Sequence, residues 1–223
     1  MMRCAATEEY NLSSRVSTLR LTSMDTIEEA KLCVLKCVKK VNPGEPCFRL
    51  SSGKVSPYYI DLRPVLYGDV KCLEIIAEAM LELLQRNNIR FDVIACKALG
   101  SVSLAVALAL KTGSPLVVLR ERVKDYGTGG SAVGALDKVK GASVLIVDDV
   151  ATTGKTLLEV LNFVKNLGAV HAVAAVVVDR QEGAKQLLRQ HGCELYALFT
   201  RSDLGITDEW LNEALSYCSD APS

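Results

Sequence analysis

The sequence has no excess of charge of either sign and no run of basic residues. Its 26 Lys and Arg residues balance 26 Asp and Glu residues, so the formal net charge is zero. Nucleic acids and anionic membrane surfaces are normally bound through clustered positive charge. We therefore expect neither of them to be a main partner.

Long apolar runs are also missing. No stretch approaches the roughly 18 apolar residues of a membrane-spanning helix, and the N-terminus lacks the apolar core of a signal peptide. These absences predict a soluble protein of the cytoplasm. A chain of 223 residues fits one domain with a small appendage, and it can build a hydrophobic core without covalent crosslinks.

The spacing of metal ligands is absent as well. The eight cysteines form no C-x-x-C pair, and the two histidines, His171 and His191, are far apart, so a zinc site is not expected. We predict that the cysteines are reduced and act as small apolar residues. Cys33 and Cys37 are four positions apart on a predicted helix and would be neighbours on one face.

The elements that are present alternate between strands and helices. A helix over residues 26–41 and a hairpin around residues 52–54 come first, and a long polar loop covers residues 121–141. The later part of the chain predicts an α/β fold with a parallel sheet flanked by helices, whose ligands bind at the carboxyl ends of the strands. Strands are predicted at residues 91–96, 116–119, 144–147, 173–178 and 195–199, with helices at residues 70–86, 101–111, 157–164, 183–191 and 207–215.

Residues 144–156 (VLIVDDVATTGKT) are the most informative segment. Four apolar residues predict a buried strand, Asp148 and Asp149 follow at its expected end, and a helix begins after Gly154. Two carboxylates therefore lie beside the backbone N–H groups of a helix N-terminus, where anions bind. A ribose 5-phosphate suits both features, because its phosphate can bind the N–H groups and its vicinal hydroxyls can bind the carboxylates.

Two alternatives apply to this segment. Two aspartates after a strand can simply form a solvated turn that caps the next helix, and the segment alone leaves this open. A nucleotide P-loop is suggested by Gly154-Lys155-Thr156 but is excluded, because it needs glycine at the position of Asp149. A carboxylate there would repel a polyphosphate.

Residues 120–130 (RERVKDYGTGG) form a cationic loop, in which Arg120, Arg122 and Lys124 lie beside Tyr126 ahead of three glycines. A hinged cationic loop inside a compact domain predicts a functional lid, and the alternative is a plain surface loop. The G-x-G-x-x-A match at residues 127–132 opens no helix and is not a dinucleotide site.

Two further segments have both a functional and a structural interpretation. Residues 48–63 join a serine-rich turn to an aromatic strand, against which a planar heterocycle can stack; taken alone, the segment favours an ordinary aromatic hairpin. Arg180 follows a buried strand in the segment VDRQEG. It can bind a carboxylate through two nitrogens, or it can pair with Asp179 to brace the sheet edge.

Taken together and in this order, the four segments resemble the orotate phosphoribosyltransferase family, of the type I phosphoribosyltransferase fold, over about residues 25–205. Residues 144–156 resemble the phosphoribosyl pyrophosphate (PRPP) motif of the whole fold. The segments at residues 50–61 (LSSGKVSPYYID), 124–127 (KDYG) and 178–183 (VDRQEG) resemble the orotate branch.

The resemblance implies a fold with a parallel sheet flanked by helices and a small N-terminal hood. The expected divisions are a loose extension (residues 1–23), the hood (24–68), the phosphoribosyltransferase core (69–205), and a C-terminal helix and tail (206–223). It also implies Mg²⁺-dependent transfer of ribose 5-phosphate from PRPP to orotate, giving orotidine 5′-monophosphate and pyrophosphate in pyrimidine synthesis. A homodimer is implied too. A transferase for another base, or a PRPP-binding regulator, are the alternatives.

The site residues implied by the resemblance fall into three groups. Lys124, Asp148 and Asp149 are the catalytic group, and Mg²⁺ is expected to be held mainly by PRPP and water, with no direct protein ligand. The PRPP-binding group is Arg120, Lys124, Tyr126, Asp148, Asp149, Val150, Ala151, Thr152, Thr153, Gly154, Lys155 and Thr156. The orotate-binding group is Tyr59, Ile60, Thr152 and Arg180.

The sequence departs from the family pattern by losing positive charge. Ser51, Glu121 and Gly100 stand where many family members have lysine, although Arg122 and Lys97 are close to two of these positions. Either neighbouring cations replace the missing lysines, or pyrophosphate is bound more weakly.

Overall fold

A computed structural model describes residues 25–43, 45–49, 55–120 and 131–219. The predicted extension, the tip of the hairpin and most of the cationic loop, including Lys124 and Tyr126, lie outside these ranges. The N-terminal elements are α1 (Thr26–Leu35), β1 (Val38–Lys40), β2 (Phe48–Arg49), β3 (Val55–Ser56), β4 (Tyr58–Ile60), α2 (Arg63–Gly68) and α3 (Val70–Arg86). The later elements are β5 (Val93–Lys97), α4 (Val102–Thr112), β6 (Leu116–Leu119), β7 (Ala132–Gly134), β8 (Ser143–Ala151), α5 (Lys155–Asn166), β9 (His171–Asp179), α6 (Ala184–Gln190), β10 (Leu195–Thr200) and α7 (Asp208–Ser219).

A six-stranded sheet with the order β10-β9-β8-β5-β6-β7 is the centre of the fold. Its first five strands in that order pair in parallel, and β7 pairs antiparallel with β6 at one edge. The predicted α/β fold with a parallel sheet is therefore confirmed. No helix in the described ranges is long and apolar enough to cross a membrane.

The sheet separates two hydrophobic layers. Side chains alternate along a strand, so Leu145 and Val147 of β8 pack into the layer that contains α3, α4 and the hood, whereas Val144 and Ile146 pack into the layer under α5 and α6. The hood therefore shares its core with one face of the sheet.

Strand β8 is longer than predicted. The prediction that Asp148 and Asp149 follow the strand is wrong, because β8 continues to Ala151. Its neighbour β9 also continues, with Asp148 opposite Val176 and Ala151 opposite Asp179. Ladder pairing thus keeps two carboxylates in extended backbone where the apolar run has already ended.

Two other predictions are corrected in the hood and in the long loop. The first helix ends at Leu35 rather than near residue 41, because β1 pairs antiparallel with β4 through Val38 and Ile60. The loop predicted over residues 121–141 contains β7 and a short 3₁₀ turn at Leu136–Lys138. The hairpin is confirmed by the antiparallel pairing of β2 with β3.

The prediction that all the cysteines are reduced is wrong. Disulfides join Cys33 to Cys72 and Cys47 to Cys218, with Cα–Cα distances of 5.7 and 5.6 Å that suit a disulfide. The first connects α1 to α3, and the second connects the start of the hairpin to α7. Both pairs are distant in sequence, so their spacing gave no signal.

Candidate active site

Asp148 and Asp149 lie at the carboxyl end of the central strand β8. By the alternation of the strand, Asp148 continues the row of Val144 and Ile146 toward α5, and Asp149 continues the row of Leu145 toward the hood. Asp148 is only 9% exposed, whereas Asp149 is half-buried. The two carboxylates nonetheless meet at the loop after β5, where Asp148 interacts with Ser101 and Asp149 lies against Gly100.

The two carboxylates interact strongly with each other and with the backbone. The Asp149 N–H donates to Asp148 Oδ1 at 3.0 Å, and the Val150 N–H donates to Asp149 Oδ1 at 2.9 Å. Burial, followed by the charge of Asp149, raises the pKa of Asp148 well above its usual value. A buried acid in this state gains from partners that bring hydroxyl groups or positive charge.

The residues after Asp149 surround a cavity of about 90 Å³ at the start of α5. Asp148 and every residue from Val150 to Leu157 line this cavity. Gly154 is the N-cap of α5 with φ +82°, and no side chain caps the helix, so its first N–H groups lack helical acceptors. The geometry suits a phosphate with hydroxyl groups close to Asp148.

The phosphate cradle, defined as residues 150–157, packs tightly against α6. A Cβ atom at Gly154 would lie 2.9 Å from Ala184 Cα and 3.2 Å from its Cβ. Since Ala184 is the first residue of α6 and is fully buried, the cradle has no room to move in that direction.

The loop after β5 lies over Asp149. A Cβ atom at Gly100 would be 2.8 Å from Asp149 Oδ2, and the Tyr67 hydroxyl of α2 donates to the Leu99 carbonyl oxygen. A lysine at position 100 would therefore displace the Asp149 carboxylate. Lys97 does not take its place, because its ammonium pairs with Glu159 of α5.

Arg63, at the start of α2, is a cation beside the site that sequence analysis did not identify. Its Nε and one terminal nitrogen each lie 2.7 Å from an oxygen of Asp61. Asp61 is the main cause of a raised Arg63 pKa, and Tyr59 and Asp149 contribute further, so Arg63 lies within electrostatic reach of both. The signal in the sequence was the D-L-R triplet that ends the aromatic segment.

The predicted orotate-binding residues differ in how accessible their side chains are to a ligand. The Tyr59 ring is half-buried, with its centroid 5.9 Å from that of Phe48. Ile60 is buried in the core opposite Val38, so only its backbone is available to a ligand. Thr152 belongs to the cradle and lines its cavity.

Arg180 lies next to the end of β8, where its N–H donates to the Ala151 carbonyl oxygen at 2.9 Å. The predicted alternative, a brace with Asp179, is wrong: Arg180 Nε donates to Glu182 at 2.8 Å, while Asp179 accepts from the Gln181 N–H. The Arg180 guanidinium also stacks on the Tyr58 ring at 4.3 Å.

The Arg180 side chain lines a second cavity, of about 160 Å³, between the hood and α7. Tyr58 and Glu182 share this cavity, and sequence analysis did not single out either of them. Tyr58 belonged to the predicted aromatic strand and Glu182 to the VDRQEG segment, but only the fold shows that they meet. Arg120 ends the strand β6, and its N–H donates to the Ser131 carbonyl oxygen at 2.8 Å.

Comparison with known proteins finds a consistent set of relatives. The family model described as "Phosphoribosyl transferase domain" matches residues 68–190. The orotate phosphoribosyltransferase of Methanopyrus kandleri is 43% identical over 162 residues, which cover 72% of this chain and 84% of that protein. The crystal structure of the Aeropyrum pernix orotate phosphoribosyltransferase has a TM-score of 0.67 and 32% identity, and the match covers 81% of this chain and 98% of that one.

A further similar structure is a complex with a small molecule. It is the Mycobacterium tuberculosis orotate phosphoribosyltransferase in complex with 5-phospho-α-D-ribosyl 1-diphosphate (PRPP), with a TM-score of 0.63 and 27% identity. The match covers 81% of this chain and 98% of that one.

Proposed function

The chain belongs to the orotate phosphoribosyltransferase family, and we propose that it transfers ribose 5-phosphate from PRPP to N1 of orotate with Mg²⁺ as cofactor. The products are orotidine 5′-monophosphate and pyrophosphate, in pyrimidine synthesis. The observation that carries this proposal is the pairing of a phosphate-sized cradle with two carboxylates at the end of one strand.

The donor fits this arrangement in one orientation. Its 5-phosphate takes the cradle, where backbone N–H groups and the hydroxyls of Thr152, Thr153 and Thr156 bind it. Its ribose hydroxyls then lie beside Asp148 and Asp149. Hydroxyl donors offset the burial that raises the Asp148 pKa, so donor binding favours the ionised acid.

The acid pair also fits a magnesium ion shared with the donor. Mg²⁺ prefers oxygen ligands and keeps several waters, and the described residues contain no cluster of three or more His, Cys, Asp or Glu side chains. Asp148 and Asp149 would hold the ion through its water shell or through the ribose hydroxyls. When bound, Mg²⁺ neutralises charge on the pyrophosphate.

The protein's own groups then stabilise the separation of charge. As C1′ loses pyrophosphate it becomes oxocarbenium-like, and the Asp148 and Asp149 carboxylates lie near this positive charge. Lys124 and Arg120 of the cationic loop neutralise the leaving group, and the loop excludes water that would hydrolyse the sugar. Arg180 binds the orotate carboxylate, beside Tyr59 and the backbone of Ile60.

One assay tests this function against its alternatives. Loss of orotate absorbance is followed in the presence of PRPP and Mg²⁺, and turnover is expected. Turnover with a purine but not with orotate would indicate a transferase for another base. PRPP binding without turnover of any base would indicate a regulator.

The role of Lys124 is tested by Lys124→Ala. We expect kcat to fall about 10²–10³-fold, because the lost charge acts mainly in the transition state. Lys138→Ala is the control, since Lys138 is exposed and pairs only with Asp137 among the described residues. Equal rates for the two variants would mean that the loop has no catalytic part.

We also propose a homodimer in the cytoplasm, whose cationic loop reaches the site of the neighbouring subunit. Sedimentation is expected to give twice the mass of the chain. Mixed Lys124→Ala and Asp149→Asn subunits should recover activity, because one site in each mixed dimer then has both residues. Lack of recovery in dimers shown to exchange subunits would place the loop in its own site.

A further inference from the structure

Tyr58, Arg180 and Glu182 form a hydrogen-bonded triad between the hood and the sheet, in which Tyr58 and Arg180 are buried and Glu182 is exposed. Arg180 Nε donates to Glu182 Oε1 at 2.8 Å and lies 3.2 Å from the Tyr58 hydroxyl oxygen. The Tyr58 hydroxyl donates to the same Glu182 oxygen at 3.0 Å. Tyr58 and Arg180 are 2% and 5% exposed, so the bond between them is shielded from solvent, whereas the Glu182 carboxylate that accepts from both is 36% exposed.

These contacts use only one edge of the Arg180 guanidinium. An arginine has five N–H donors, and here the bonds to described residues are made by Nε. The Tyr58 ring, 4.3 Å from Arg180 Cζ, holds the guanidinium plane from one side. The two terminal nitrogens make no hydrogen bond to a described residue and are left for a planar acceptor.

The triad also joins parts of the chain that are far apart. Tyr58 belongs to β4 of the hood, and its backbone is held by the Ser56 hydroxyl, which donates to the Tyr58 carbonyl oxygen at 2.8 Å. Arg180 and Glu182 follow β9. Burial raises the pKa of Tyr58 to about 12, so its hydroxyl stays protonated and keeps donating to Glu182 at every working pH.

We propose that Tyr58 and Glu182 are positioning residues that hold the Arg180 guanidinium for the carboxylate of the base, and so set the preference for a base that has one. A carboxylate bound by two nitrogens needs both in its own plane, and a guanidinium fixed beforehand loses less freedom on binding. This inference rests on the proposed function, in which Arg180 contacts the orotate carboxylate.

The test compares two nucleotides that differ by that carboxylate. Orotidine 5′-monophosphate and uridine 5′-monophosphate share the phosphate and ribose, so both bind through the cradle and only the first meets Arg180. Their Kd values are measured by calorimetry for the wild type, Tyr58→Phe, Glu182→Gln and Glu182→Ala. Tyr196→Phe, which removes a hydroxyl from β10, is the matched control.

Tyr58→Phe keeps the stacked ring and removes only the hydroxyl. We expect it to weaken orotidine 5′-monophosphate about 10-fold and uridine 5′-monophosphate less than 2-fold, in the range for one hydrogen bond to a charged group. Glu182→Ala should lose more discrimination than Glu182→Gln, because the amide oxygen of glutamine can still accept from Arg180 Nε. Tyr196→Phe should leave both Kd values unchanged.

Two kinds of failure are distinguishable. Equal weakening of both nucleotides, or no weakening in either, would show that the triad serves folding only, and thermal unfolding of each variant identifies a misfolded protein. Arg180→Ala is measured alongside. If Arg180→Ala still prefers the carboxylated nucleotide, then Arg180 does not bind the carboxylate of the base, and this part of the proposed function is wrong. That outcome says nothing against the contacts that Tyr58 and Glu182 make with Arg180.

Discussion

Replacement of Gly154 by alanine tests whether the phosphate cradle is held by its contact with α6. Gly154 has φ +82°, where a side chain costs about 1–2 kcal/mol. The new Cβ would also lie 2.9 Å from the backbone Cα of Ala184, which cannot swing aside, and overpacking of this kind costs about 1–3 kcal/mol. We therefore expect a loss of about 2–5 kcal/mol in the free energy of unfolding.

A second glycine separates the two contributions. Gly113 ends α4 with φ +74°, and a Cβ there would meet nothing within 4 Å. Gly113→Ala should therefore lose only the conformational cost of about 1–2 kcal/mol. The difference between the variants measures the contact with α6, and denaturant unfolding with a common slope measures both.

The two variants should also differ in donor binding. Gly154→Ala must move either the cradle or α6, and we expect the KM for PRPP to rise about 10-fold or more, because small displacements of positioning groups are costly. Gly113→Ala should leave the KM for PRPP unchanged. Equal stability losses in the two variants, or an unchanged KM in Gly154→Ala, would refute the packing argument.

Three further changes have defined outcomes. The pKa of Asp148 is raised on folding, so the folded chain binds more protons and its stability falls as pH rises from the unfolded pKa through the folded one. Asp148→Asn should therefore raise Tm at neutral pH while abolishing turnover, and an unchanged Tm would contradict the burial argument. Gly100→Ala should lower kcat with little effect on stability, because the nearest atoms belong to the movable Asp149 carboxylate; unchanged kcat would show that this carboxylate can turn aside harmlessly. Cys33→Ser opens a loop of 39 residues and should cost about 4 kcal/mol, which urea unfolding of the variant and of the wild type, both without reductant, measures; equal stability of the two proteins would argue against the disulfide.

The buried elements could be predicted because each has one dominant pattern. Helix α3 begins at Val70 and ends at Arg86 as its apolar periodicity predicts, and β9 is an almost entirely buried strand. One face of the helix and both faces of the strand pack against the core. This packing requires a periodic apolar pattern in the helix and a continuous apolar run in the strand, and both patterns are visible in the local sequence.

The remaining elements depend on contacts between distant residues. Strand β1 forms because it pairs with β4, with Val38 opposite Ile60. A strand of three residues is too short to show a periodicity in the sequence. The disulfides likewise join cysteines that only the fold brings together. The triad of Tyr58, Arg180 and Glu182 belongs to the same class, because its members come from both the hood and the sheet.

The pairing of β8 with β9 changes the interpretation of the acid pair. In extended backbone successive side chains start from opposite faces of the strand, so that Asp148 lines the cavity of the cradle and Asp149 lies against Gly100 in the loop after β5. Asp149 then occupies the space that a side chain at position 100 would need. Glycine at position 100 therefore leaves the Asp149 carboxylate where it is, whereas a larger residue would move it.

The positive charge on the hood side of Asp149 has a different source. Lys97 is engaged by Glu159 on α5, whereas Arg63 lies within electrostatic reach of both Asp149 and Tyr59. Arg63 pairs with Asp61 through two nitrogens, which orients its planar guanidinium. Arg63 on α2 thus acts on Asp149 from the hood, whereas a lysine at position 100 would have to displace the Asp149 carboxylate.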